Sequence, residues 1–172
     1  MKTLLIVVDM QNDFVSGALG TAEARAILPA VNAKIAAAEE VLFTLDTHGA
    51  DYMETQEGRN LPVPHCIKGT WGHALADGMT VPAGAATLEK PTFGSVALGE
   101  LVRRRFEAGE IGRVELIGLC TDICVISNAL LLKAYCTELP VSVDAACCAG
   151  VTPASHANAL SAMKMCQIAV EN

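Results

Sequence analysis

The sequence predicts an α/β protein: one three-layer α/β/α domain over residues 1–172, built on a mainly parallel sheet of about six strands. Three observations lead there. Short β-rich apolar runs alternate with longer segments of helical period, the pattern of βαβ units. Aromatic residues make up 4% of the chain and apolar residues 52%, so the core is built from Ala, Val, Ile and Leu, which suits helices lying close on a parallel sheet. Finally, chemically capable side chains recur just after the apolar runs, at the carboxyl edge where open parallel sheets bind ligands.

The apolar runs fall at residues 3–8, 41–45, 86–88, 114–117, 141–143 and 167–170, and helical patterns at 25–40, 96–108, 122–138 and 153–166. Residues 47–84 differ, being rich in Gly, Pro and His and lacking a sustained helical period. A loop of that length in a compact domain is functional or disordered, and its polar content favours function. Neither a linker nor a repeat interrupts the chain, and 172 residues suffice for one substantial core.

Charge excludes some function classes. A formal charge of −7, with no basic run beyond Arg103, Arg104 and Arg105, argues against a nucleic-acid surface; a small neutral or cationic ligand fits better. The apolar start is interrupted by Asp9 with no cleavage site after it, and no segment is long enough to span a membrane. Seven cysteines, an odd number without secreted-scaffold spacing, are read as reduced thiols of a cytoplasmic protein, most of them small core residues. Cys147 and Cys148 are taken as core and His156 as a surface helix residue.

Asp9 follows the first apolar run, Asp46 and His48 the second, Lys90 the third, and Cys120 to Cys124 the fourth. Cys124 lies near a helix start behind Thr121 and Asp122, residue types that cap helices. A thiol there meets the positive end of a helix dipole and free N–H groups, which favour a thiolate and cradle an oxyanion. Taken alone, Cys124 is equally a buried helix cysteine. Asp9 ends an apolar strand, where an unpaired carboxylate is costly, so it requires a partner such as Lys90 or the thiol. A carboxylate beside a thiol can take its proton, and a lysine can hold that carboxylate and stabilise negative charge; the alternative is a structural Asp–Lys pair.

The segments DMQNDF (residues 9–14), EKPTF (89–93) and GLCTDICV (118–125), in this order and spacing, resemble the motifs of the isochorismatase-like cysteine hydrolases, on the nicotinamidase/pyrazinamidase-related branch. The resemblance implies a Rossmann-like sheet with helices on both faces and a catalytic triad of Asp9, Lys90 and Cys124. It also implies a cis peptide at Leu119–Cys120, an oxyanion hole from the backbone N–H groups of Cys120 and Cys124, and a homo-oligomer. Asp46-x-His48, followed by His65, is similar to the metal segment of nicotinamidases, although a D-x-H pair alone equally suits turn hydrogen bonds. The implied ligands are Asp46, His48 and His65 with Glu57 as fourth; Asp51, Glu54 and His73 are alternatives. Such a set suits Zn²⁺, Fe²⁺ or Mn²⁺. No organic cofactor is implied.

Nicotinamidases commonly hold their substrate ring between two aromatic side chains. Phe14 matches one, but residues 60–64 (NLPVP) offer no second. Trp71 and Phe93 are the substitutes, with Trp71 equally a rim or interface anchor. The expected activity is cysteine-dependent release of ammonia from a small carboxamide through a thioester. A carbamoyl or ureido amidohydrolase and a non-catalytic oligomeric scaffold are the alternatives. A zinc or thiol-redox role for Cys120 and Cys124 lacks a second ligand pair.

Overall fold

A computed structural model describes residues 1–172. Six strands, all parallel, lie in the order β3-β2-β1-β4-β5-β6. They are β1 (Lys2–Val8), β2 (Glu40–Asp46), β3 (Ala86–Lys90), β4 (Ile111–Leu119), β5 (Val141–Ala149) and β6 (Ala169–Glu171). The alternation along β1 divides the core. Leu4, Ile6 and Val8 face α4 (Val96–Glu107), α5 (Ile126–Tyr135) and α6 (Pro153–Met165), packing with Leu98, Val102, Leu132 and Met163. Leu5 and Val7 face α1 (Asn12–Val15) and α2 (Ala22–Ala37), packing with Val15, Val31 and Ile35. Both faces of the sheet are therefore covered, as a parallel sheet requires. None of the helices is long and apolar enough to cross a membrane.

Helix starts follow the capping chemistry of the sequence. Thr21 accepts from the Ala24 N–H, Ser95 from Leu98, and Thr152 forms a reciprocal capping box with Ser155. Two expected boundaries shift. The helix expected to reach residue 40 ends at Ala37, because Arg105 grips both carboxylate oxygens of Glu40 at 2.6 and 2.9 Å and holds that residue at the start of β2. The strand expected at 141–143 continues to Ala149, with a register irregularity against β4 where the two strands pair.

The connections leave β1 and β4 in opposite directions along the sheet, opening a crevice beyond their carboxyl ends. Gly118 lets the two strands meet there. It has φ 112°, and a Cβ on it would lie 2.2 Å from the Val8 carbonyl oxygen.

Candidate active site

Asp9, the first residue after β1, turns the chain with φ 47°, a left-handed conformation that Asp tolerates better than most residues. Its fully buried carboxylate accepts a 2.6 Å hydrogen bond from Thr44 Oγ1 through Oδ1. Oδ2 lies 2.6 Å from Lys90 Nζ, an ion pair whose angle makes no good hydrogen bond. Lys90 ends β3, beside Asp46 at the end of β2 in the sheet register. Its ammonium donates to Cys124 Sγ at 3.4 Å and to the Thr92 carbonyl at 3.1 Å. The three residues expected to act together are thus one buried cluster across β1, β3 and the segment after β4.

Burial dominates the electrostatics. It raises the Asp9 carboxyl above its ordinary 3.8, with Lys90 opposing and Asp46 adding. Desolvation alone would lower Lys90, but the charges of Asp9, Cys124 and Asp46 outweigh it and hold the ammonium. The Cys124 thiol is pushed well up, by burial first and then by Asp9. Burial thus opposes the thiolate that a helix start would favour, which agrees with the expectation that a carboxylate takes the Cys124 proton.

The segment that presents this thiol differs from expectation. Cys124 lies in a π-helical turn, Thr121–Val125, that precedes α5. Thr121 and Asp122 do not cap this turn. Thr121 Oγ1 meets His156 Nδ1 at 2.8 Å, so His156 is tied to the site segment and is not a free surface residue. The Asp122 carboxylate accepts from the Val151 N–H. The Leu119–Cys120 peptide is cis, and no backbone carbonyl accepts the Cys120 N–H.

Asn128, one turn into α5 and fully buried, fastens this turn to the β3–α4 loop. Its amide donates to the carbonyls of Cys124 (2.8 Å) and Phe93 (3.0 Å) and accepts from the Ser95 N–H (2.9 Å). Asn128→Asp places a carboxylate oxygen against two carbonyls, and should lower the unfolding free energy by about 3 kcal/mol in a urea titration. An unchanged midpoint would remove Asn128 as the fastening.

Asp46, His48 and His65 form a second buried group, with one ligand atom from each lying within 4.8 Å of the others. Asp46 Oδ2 is 2.9 Å from His48 Nε2 and 3.5 Å from His65 Nε2, and Glu57 Oε1 is 3.7 Å from both nitrogens. His65 donates its Nδ1–H to the Val63 carbonyl at 2.8 Å, which orients Nε2 toward the group. Burial would raise Asp46, but hydrogen bonds from His48 and His65 and the charge of Lys90 outweigh it and hold the carboxyl well below the usual range. One buried carboxylate and two buried imidazoles, with the half-buried Glu57 carboxylate beside them, suit a divalent cation, so the group could hold one. Asp51, Glu54 and His73 lie outside it, His73 being engaged with Thr47 Oγ1 at 2.9 Å. His65→Ala is expected to weaken Zn²⁺ binding at least about 100-fold in an ion titration. Unchanged affinity would exclude His65 as a ligand.

A cavity of about 640 Å³ joins the two groups, lined by Cys124 and Cys120 on one side and Asp46, Glu57 and His65 on the other. Phe14 lines it, its ring centroid 5.5 Å from that of His65, and Phe93 lines it from the β3–α4 loop. Trp71 does not, which corrects its expected place in the pocket. It is 54% exposed, and its indole N–H is directed to Asp77 Oδ2 at 3.2 Å.

Sequence patterns alone missed several supports. Thr44 anchors Asp9. Gln11 binds the backbone N–H and carbonyl of Asp46 at 2.7 and 2.9 Å. Tyr52 packs edge-on against His48 and His65, with centroids 4.8 and 5.0 Å away. Gln11 and Asn128 were detectable as polar residues that burial obliges to find partners.

Comparison with known proteins agrees with this geometry. The isochorismatase domain matches residues 3–171. The chain is 31% identical to PncA of Bacillus subtilis (strain 168), an uncharacterized isochorismatase family protein, over 94% of this chain and 93% of that one. A crystal structure of nicotinamidase/pyrazinamidase PncA from Bacillus subtilis superposes with a TM-score of 0.81 at 31% identity, covering all of both chains. The pyrazinamidase of Pyrococcus horikoshii in complex with zinc does so with a TM-score of 0.82 at 27% identity, covering 99% of this chain and 98% of that one. With its doubly wound sheet, buried Asp–Lys–Cys cluster and adjoining Asp–His–His group, the chain belongs to the isochorismatase family.

Proposed function

We propose that this amidohydrolase of the isochorismatase family is a cysteine enzyme of nicotinamidase type, releasing ammonia from a small carboxamide through a thioester on Cys124. The observation that carries the reading is the contact of Asp9, Lys90 and Cys124 at the wall of a largely apolar cavity. The pyrazinamidase and nicotinamidase named among its relatives act on small heteroaromatic amides, which suits Phe14 and Phe93 on the cavity wall.

Asp9, its proton affinity raised by burial, takes the Cys124 proton as sulfur attacks the amide carbon. Lys90 remains charged and stabilises the thiolate as it forms. The carbonyl oxygen becomes an oxyanion held by the backbone N–H groups of Cys120 and Cys124. Asp9 returns its proton to the departing nitrogen, the C–N bond breaks, and ammonia leaves. Asp9 then deprotonates a water that attacks the thioester, releasing the carboxylic acid and restoring the thiol. A divalent ion held by Asp46, His48, His65 and Glu57 would supply a Lewis acid that orients a substrate ring nitrogen or a water. The test is ammonia release from nicotinamide and pyrazinamide by the metal-loaded protein; absence of release from either would remove the nicotinamidase reading.

A further inference from the structure

We propose that this site takes uncharged carboxamides whose apolar substituent extends beyond a single six-membered ring, a proposal that rests on the amidohydrolase reading above. The first ground is volume. The cavity measures about 640 Å³, within the roughly 300–1,000 Å³ of sites that enclose drug-sized ligands. With a water occupying about 30 Å³, a one-ring amide fills only a minor part of that space. The second ground is where the spare volume is bounded. Leu61, Phe93 and Val151 line the cavity, yet are 39%, 46% and 52% exposed, so with the exposed amides of Gln56 and Asn60 they form its mouth. Cys124, Asp46 and His65 are buried at its inner wall. An amide placed at Cys124 leaves its far end at this mouth, where Leu61, Phe93 and Val151 offer apolar contact.

The third ground is charge. Neither Lys nor Arg lines the cavity, and its two carboxylates, Asp46 and Glu57, belong to the group that would hold the divalent ion. The nearest ammonium, Lys90, is matched by Asp9. A carboxylate on the far end of the substrate would lie at a mouth with no Lys or Arg to pair it, at the cost of desolvation. Tail-carboxylated ureido acids are disfavoured on the same ground.

The experiment compares kcat/KM for benzamide, 4-methyl-, 4-ethyl- and 4-propylbenzamide and 4-carboxybenzamide on the metal-loaded enzyme, with ammonia as readout. The expected result is a rise of up to about fourfold per added CH₂, with the carboxylated amide below benzamide. In Leu61→Ser and Val151→Ser, the propyl-to-unsubstituted ratio of kcat/KM should fall toward one. Turnover of benzamide with a flat or falling series, or with the carboxylated amide preferred, would overturn the proposal and leave the amidohydrolase reading standing. No turnover of any of these amides or of nicotinamide would overturn both.

Discussion

Cys124→Ala should lower kcat for amide hydrolysis on the order of 10⁵-fold while leaving a folded protein. The loss is large because no other thiol is placed to replace it. Cys120 also lines the cavity, but burial pushes its thiol up to about 12, and no contact with Asp9 or Lys90 activates it. The fold should survive because Cys124 is a small core residue of the α5 face, and its sulfur is the only non-hydrogen atom lost. A destabilisation of about 1 kcal/mol is expected from the small void. Ammonia release at a tenth of the wild-type rate would exclude Cys124 as the nucleophile.

Asp9→Asn is expected to reduce kcat/KM about 10³-fold, in the range of general-base contributions, and to destabilise the protein by about 3 kcal/mol in urea. Both effects share an origin. In the proposed mechanism the carboxylate is the proton acceptor for the thiol, and it is the partner of a fully buried ammonium. Its ionised form is the active one, so wild-type kcat/KM falls as the pH drops through the Asp9 pKa. Because burial raises that pKa from 3.8, the acid limb should lie above the ordinary carboxylate range. Wild-type activity persisting unchanged to pH about 4, or a stable and fully active Asp9→Asn, would contradict this assignment.

The architecture was legible because its signal is periodic. Leu4 to Val8 alternate between two helix layers, and the long loop after β2 stood apart by composition. The clustering of Asp9, Lys90 and Cys124 was legible because strand ends in a parallel sheet share an edge, so Asp9, Lys90 and Cys120 to Cys124 had to approach one another. Local details were less legible. Residues 36–40 (AAAEE) carry helix propensity throughout, and only the distant Arg105 makes Glu40 a strand residue. The short helices α1 and α3 (Gln56–Asn60) span too few residues to show a period. The depth of Cys124 was not legible, because a helix start was visible in the sequence and the 5% exposure of the residue was not. Trp71 lay in a loop whose course no pattern constrains, and a single hydrogen bond to Asp77 directs its ring elsewhere.

In the proposed mechanism Cys124 carries the acyl group. Acid quenching of the metal-loaded enzyme during steady-state turnover of nicotinamide or benzamide, followed by peptide mass spectrometry, tests it most directly. One acyl adduct, of the mass of the substrate minus ammonia, is expected on the peptide containing Cys124 and absent from Cys124→Ala. The same adduct on Cys120 or another residue, or ammonia released by Cys124→Ala at the wild-type rate, would contradict it.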